Sequence, residues 1–519
     1  MALQFGKQIN FVAGLLLTWC TALSCAHAQM SMGKDAAPVL ALPQLGDGAD
    51  MSPAAERRLG DRIARELYRD PDYIDDPVIM DYVQRLWLPL LAAAKQRGDM
   101  PLALEDQFAW EILLGRDRSV NAFALPGAYF GLHLGLVSTV TSRDELASVL
   151  AHELSHVTQR HISRLISRQN QQAPWLMGAM ILGALAASKN PGAANAAIIG
   201  GQAVAAQTQL NFSRDMEREA DRVGFGVMTH AGFEPQGFVT MFAKLQQASR
   251  LNDSGGFAYL RSHPLTTERI SDMQNRLPFA SVPLATSEPS RGDVEQAMVA
   301  ARAKVLANSN ADALRSWALQ AKDSRFSTLT PSQQAGILYG AAFAALKLRN
   351  YAAATNGLAP LLLLTSDDAQ ATRLVQLLTA ECALAQGDAQ RAHVELNAIR
   401  GDWRRPEVLL SAQIFLQRHQ PKQASDNLKS WLVEHPRDAT AWQIMAMAQQ
   451  NQGHVVAAIR AEAEVNISQL NYANALARLQ AAQDAARSGK MGADYFEASI
   501  IDSRIKEVQH ILKEQGLER

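Results

Sequence analysis

His152, Glu153 and His156 put two metal-binding imidazoles and a carboxylate within five residues, His152-Glu153-Leu154-Ser155-His156. Histidines four apart share one face of a helix, about one turn along, so both rings can reach a single ion. Glu153 stands beside that face, where it can take a proton from a metal-bound water. With 12 His and 51 acidic residues in the chain, chance would produce this pattern fewer than about 0.03 times. A solvated helix face is the plain alternative, but Leu146, Val149, Leu150 and Val157 make the segment amphipathic and buried. Two histidines and a water leave a catalytic zinc site short of one protein ligand, which belongs downstream on another helix. Glu217 and Asp221 are four apart and share a face, one to bind metal and the other to hydrogen-bond a ligand imidazole. Glu219 points elsewhere, and the apolar run 223–228 half buries this helix. His161, five residues past His156, falls on a different face, so Arg160 and His161 read as structural. The chemistry implied is zinc-assisted peptide hydrolysis, with one Zn2+ per chain and Glu153 as the base.

The elements that position these groups are mostly helical. Periodicity begins near Ala54 and resumes from Val78, which reads as packing helices in front of the site. Residues 108–140 change to short apolar runs between Gly and Pro turns, a small sheet preceding the motif helix. Ser142 and Glu145 form a capping box, and Leu146 through Arg168 continue as one helix. Residues 173–206 are unusually apolar, yet the first run contains Pro174 and reaches Lys189 and Pro191 within the roughly 20 residues a span needs. Buried or membrane-touching helices fit this stretch better than a true span.

From about residue 290 the sequence becomes a helical array. Ala412 and Ala424 are followed 34 residues later by Ala446 and Ala458, the period of tetratricopeptide helix pairs. Trp442, Gly453 and Ala458 take the large, turn and small positions of one repeat; upstream pairs are irregular. An unrelated helical bundle is the plain alternative. A repeat array buries a continuous core between neighbours and offers a concave surface to protein segments.

Length and charge limit the rest. At 519 residues the chain exceeds one ordinary core. The expected organisation is a signal peptide at 1–28, a leader at 29–52, a zinc metallopeptidase domain at 53–285 and a helical repeat domain at 290–519. Lys7, the apolar run 11–23 and Ala26-His27-Ala28 have the form of a cleaved export signal, which implies the periplasm. Its removal takes Cys20 and Cys25, leaving Cys382 with no partner for a disulfide. Lys plus Arg (50) balance Asp plus Glu (51), so no global field holds nucleic acid, and none is expected as a partner.

The motif helix, the Glu-x-x-Ala-Asp segment at 217–221, His263-Pro264-Leu265 and Glu268-Arg269-Ile270 together resemble the gluzincin endopeptidases related to the prenyl-protein protease. The export signal and carboxy-terminal repeats narrow the resemblance to the bacterial β-barrel assembly-enhancing proteases. It implies a zincin-like domain, predominantly α with a small β-sheet, followed by a tetratricopeptide-type α-solenoid. It implies zinc on His152, His156 and Glu217, Glu153 as base, and Asp221 behind a ligand. His263 matches a histidine that either stabilises the tetrahedral intermediate or enters as a fourth ligand holding the enzyme off. Asn121, Ala122, Phe123 and Ala124 resemble the family's edge strand, on which a substrate chain would lie. The implied partners are polypeptide substrates, outer-membrane proteins and their assembly machinery, met through the repeats. Two other functions stay open: a chaperone or scaffold with an autoinhibited protease, and a membrane-embedded protease using 173–206.

Overall fold

Prolines and small polar caps set where the leading helices begin. The computed structural model describes residues 51–168, 213–250, 256–277, 292–487 and 495–517. α1 (Pro53–Arg69) and α2 (Pro77–Gln96) each start on a proline, whose missing N–H costs nothing in a first turn. Ser52 accepts from the Ala55 N–H at 3.3 Å and Asp76 from the Ile79 N–H at 2.9 Å, capping the two helices. Ile79, Tyr82, Leu86 and Leu90 recur at helical spacing and bury one face of α2.

After α3 (Leu102–Gln107) the chain makes the expected small sheet from β1 (Glu111–Gly115), β2 (Ala122–Leu125) and β3 (Tyr129–His133). β3 is central, parallel to β1 with Glu111 opposite Tyr129 and antiparallel to β2 with Ala122 opposite Leu132. β2 is therefore an edge strand. The turn joining it to β3 passes through Gly127 at φ 72°, where a Cβ would lie 2.8 Å from the Arg57 Cα. Only glycine combines that backbone with that approach.

α4 (Leu134–Thr139) leads to the motif helix α5 (Arg143–Thr158). Ser142 Oγ accepts from the Glu145 N–H at 3.2 Å, as its cap position requires. The Glu145 carboxylate, however, takes the Thr141 N–H at 2.7 Å and Lys244 Nζ at 2.6 Å, so the box closes one residue early. The single helix expected over 146–168 is two: α5 stops at Thr158, Arg160 turns the chain at φ 56°, and α6 (His161–Arg168) sets off anew. A non-glycine residue in that left-handed region costs roughly 1–2 kcal/mol. Tertiary contacts offset it, since the Arg160 guanidinium lies 3.0 Å from Glu56 and 2.5 Å from the Met51 carbonyl. α7 (Arg214–His230), α8 (Gln236–Arg250), α9 (Tyr259–Ser262) and α10 (Thr267–Arg276) follow. α7 and α8, with α2 and β2, pack around α5 and leave none of its faces to solvent.

α11 (Gly292–Ala307) and α12 (Ala311–Leu319) open the helical array. Five pairs follow: α13 and α14 (Pro331–Lys347, Tyr351–Leu364), α15 and α16 (Ala369–Ala385, Ala389–Asn397), α17 and α18 (Arg405–Gln417, Pro421–Glu434), α19 and α20 (Ala439–Asn451, Val455–Ser468), α21 and α22 (Tyr472–Arg487, Tyr495–Leu517). The first helices of the pairs start at 331, 369, 405, 439 and 472, so the spacing falls from 38 to 36, 34 and 33. The sequence period is regular only where the pairs are. Gly453 turns at φ 79° between α19 and α20, and Ala458 is buried behind it.

The array does not stand apart from the peptidase half. One apolar core runs from Val78 on α2 through the sheet and α5 to Ile414 on α17. Charged clamps seal the seam: Arg302 meets Asp76 at 2.9 Å and Glu381 at 3.0 Å, and Arg405 meets Asp75 at 2.6 Å and Asp438 at 2.8 Å. The expected boundary between 285 and 290 lies outside the described residues, as do the signal peptide at 1–28, nearly all of the leader at 29–52, and the apolar stretch 173–206. Among the described residues no helix is long and apolar enough to cross a membrane.

Candidate active site

Helical spacing brings the first two groups together. On α5, His152 Nε2 and His156 Nε2 lie 3.0 Å apart, both rings buried. α7 lies against this helix because Gly224 has no side chain; a Cβ there would sit 3.0 Å from the Ala151 carbonyl oxygen. Ser213 caps α7, accepting from the Met216 N–H at 3.2 Å, and so sets the rotation that turns Glu217 and Asp221 inward. Glu217 then reaches both histidines, 3.5 Å from each Nε2.

His263 joins from the C-terminal end of α9. Tyr259 stacks on its ring, with centroids 4.5 Å apart and planes at 25°. Backbone bonds between Val120 and Gly256 (2.7 Å) and between Tyr259 and Val120 (3.1 Å) tie this segment to the residues just ahead of β2. His263 Nδ1 lies 3.3 Å from His152 Nε2 and 3.0 Å from Glu217 Oε1. One ligand atom from each of His152, His156, Glu217 and His263 lies within 4.8 Å of all the others.

These residues fit a metal cation on two counts. Two ligand atoms on one ion at about 2.0–2.1 Å lie about 3.4 Å apart in a tetrahedron; His152 Nε2 lies 3.0 Å from His156 Nε2 and 3.3 Å from His263 Nδ1, and all four groups converge within 4.8 Å. Charge gives the second count. Three carboxyl side chains, Glu153, Glu217 and Asp221, are buried here beside a single guanidinium, Arg269, all four at most 3% exposed, an acid-rich surrounding that suits a cation. Among the described residues neither Glu153 oxygen has a hydrogen-bond donor, and His263 Nε2 lies 3.5 Å from Oε1. A buried carboxylate left so beside a metal cradle is placed to accept a proton.

Outer contacts hold each ligand. Asp221 Oδ1 faces His152 Nδ1 at 2.9 Å, as its spacing from Glu217 implied. Arg269 on α10 grips Asp221 with Nε at 2.6 Å and Nη2 at 2.8 Å, and its Nη1 lies 2.8 Å from Glu217 Oε2. Sequence reasoning quoted Arg269 within a motif but assigned it no work. Burial disfavours charge on both ligand rings, and their neighbours then separate them. Asp221 and Glu217 hold His152 up at about 9, whereas His152 keeps His156 well below the usual range.

One sequence expectation is corrected here. His161 does not fall on a face away from His156: its Nδ1 lies 2.9 Å from His156 Nδ1, because the turn at Arg160 breaks the helical phase from which the separation was read. Glu219 lies outside the metal-ligand group and places its Oε2 3.0 Å from His161 Nε2. Of the residues expected to meet substrate, Ala122, Phe123 and Ala124 lie in the edge strand β2, and Asn121 immediately precedes it with its carbonyl on the His133 N–H at 3.1 Å.

Residues 83–277 match the family described as Peptidase family M48. The chain is similar to the β-barrel assembly-enhancing protease of Escherichia coli K12, 29% identical over 498 residues that cover 94% of this chain and 96% of that one. The protease of the same name from Yersinia pestis is 29% identical over 91% of this chain and 92% of its own. The mitochondrial metalloendopeptidase OMA1 of Saccharomyces cerevisiae is 28% identical over 38% of this chain and 56% of its own.

Proposed function

We propose, from the match of residues 83–277 to Peptidase family M48, that the chain is a zinc-dependent periplasmic endopeptidase acting on misassembled outer-membrane proteins. The observation that carries the chemistry is the convergence of His152, His156, Glu217 and His263 beside the undonated carboxylate of Glu153. Three imidazoles and one carboxylate converging within 4.8 Å suit zinc better than harder cations, which prefer more oxygens. The compartment and substrate class rest on similarity to the assembly-enhancing proteases along nearly the whole chain and on the form of residues 1–28.

Zinc, when bound, lowers the pKa of a water to near neutrality and polarises the scissile carbonyl. Glu153 accepts the proton of the attacking water and passes it to the leaving amine, so a C–O bond forms, the C–N bond breaks and the carboxylate is restored. Asp221 keeps His152 turned inward, and Arg269 keeps Asp221 in place. A substrate segment lies along the free edge of β2 at Asn121, Ala122, Phe123 and Ala124, pairing by backbone hydrogen bonds. The paired helices after residue 331 act as tetratricopeptide-type repeats that dock clients and assembly machinery.

His263 takes the fourth-ligand role of the two the resemblance allowed. Its Nδ1 fills the corner that water or carbonyl needs, and neither it nor His152, Glu153, His156 or Glu217 is more than 2% exposed. The same closure favours a second reading, in which the resting protein is chiefly a chaperone or scaffold. Glu153→Gln separates the two. It keeps metal, abolishes casein hydrolysis, and fails to support barrel assembly in cells if proteolysis is the main activity. Hydrolysis retained by the variant would overturn the role of Glu153.

A further inference from the structure

We propose that His161 and Glu219 form a positioning relay for His156, the counterpart of the Asp221 and Arg269 pair behind His152. The proposal rests on the metal-site reading above and adds to it the means by which the second imidazole is aimed.

The chain of contacts has one consistent proton arrangement. With His156 Nε2 turned to the metal cradle, its Nδ1 carries the hydrogen and donates to His161 Nδ1 at 2.9 Å. His161 Nδ1 is then the acceptor, so its Nε2 carries the hydrogen and donates to Glu219 Oε2 at 3.0 Å. Arg164 Nη1 meets the same oxygen at 3.0 Å and anchors the outer end. His161 is fully buried, whereas Glu219 and Arg164 are about one-third exposed, so the relay runs from the cradle to the surface.

The backbone is bent to make this contact. On an unbroken helix His161 would stand about 140° around the axis from His156. The left-handed turn at Arg160 brings its ring back instead, and Arg160 is pinned by Glu56, Met51 and Ser163. The two ligands are thus held differently: His152 by a carboxylate directly, His156 by a carboxylate acting through a second imidazole.

The test measures zinc affinity of the full chain by chelator competition, with the visible absorption of the cobalt form and the thermal midpoint of the metal-free form. His161→Leu removes the acceptor, whereas His161→Gln keeps one at a similar reach. His161→Leu and Glu219→Leu are expected to weaken zinc about tenfold to a hundredfold and shift the cobalt bands. His161→Gln should restore most of the loss. Wild-type affinity in His161→Leu, or equal losses in His161→Leu and His161→Gln, would overturn the relay, the latter by reducing His161 to packing. His152→Ala is the control for the underlying reading: wild-type zinc affinity there would reject the metal site itself, whereas lost affinity there beside intact affinity in His161→Leu rejects the relay alone.

Discussion

Replacing Arg269 with methionine should destabilise the metal-free protein by about 3–5 kcal/mol, the cost typical of breaking a buried ion pair from one side. Arg269 is 3% exposed and directs two nitrogens at Asp221, at 2.6 and 2.8 Å. Each hydrogen bond to a charged group is worth about 1.5–3 kcal/mol, so the pair gives about 3–6 kcal/mol by a separate route. The guanidinium carbon also lies 5.3 Å from the centroid of the Phe242 ring, so methionine removes that cation–π contact together with the ion pair. What remains is Asp221 with no guanidinium and Glu217 without its 2.8 Å contact. Urea unfolding in excess chelator measures the change free of stabilisation by bound metal. Zinc affinity should fall as well, since Asp221 loses the group that orients it toward His152. Arg269→Lys, which can serve only one oxygen well, should fall between. A loss below about 1 kcal/mol for Arg269→Met would refute this account, because a buried carboxylate cannot lose a two-bonded guanidinium so cheaply.

Glu153→Gln should bind zinc as the wild type does and show no peptide hydrolysis, checked by metal content and a casein digest on the same sample. His263→Ala should raise basal proteolysis while zinc stays on His152, His156 and Glu217; a drop of about two to three powers of ten would instead mark an oxyanion donor. Glu217→Ala should lose more zinc affinity than Glu219→Leu, because the first removes a ligand and the second only a group two bonds of contact away. On the array side of the seam, burial opposes ionisation of Asp438, but Arg405 outweighs it and holds the carboxyl below its usual range, and this carboxylate in turn steadies the Arg405 that reaches Asp75 across the seam at 2.6 Å. A depressed folded pKa contributes stability that is complete above the unfolded value of about 3.9 and is lost as pH falls toward the folded one. Limited proteolysis between the halves should therefore stay constant from neutrality to about pH 4 and rise below it, and Arg405→Met should show the low-pH pattern already at neutral pH.

Much of the site was legible because helix geometry is local. His152 with His156, and Glu217 with Asp221, are pairs at i and i+4, and that spacing alone puts two side chains on one face. Short apolar runs between Gly and Pro turns likewise marked the small sheet and its bends, while only the family resemblance pointed to an edge strand at 121–124, and the 34-residue period marked the array where its pairs are regular. Arg269, His161 and Glu219 were illegible as site residues for the opposite reason. Arg269 works from a helix packed beside α7, and nothing in the local pattern of residues 267–276 says which carboxylates it will meet. His161 was read off a helical phase that Arg160 interrupts, and Arg160 can hold φ 56° only because Glu56 and Met51 arrive from more than 100 residues earlier. Likewise His263 is brought to within 3.0 Å of Glu217 through Tyr259 stacking and backbone bonds to Val120. Periodicity along a chain records which side chains share a face; which faces meet, and where a helix must break to let them, is decided by packing between distant segments, and only the tertiary structure holds that information.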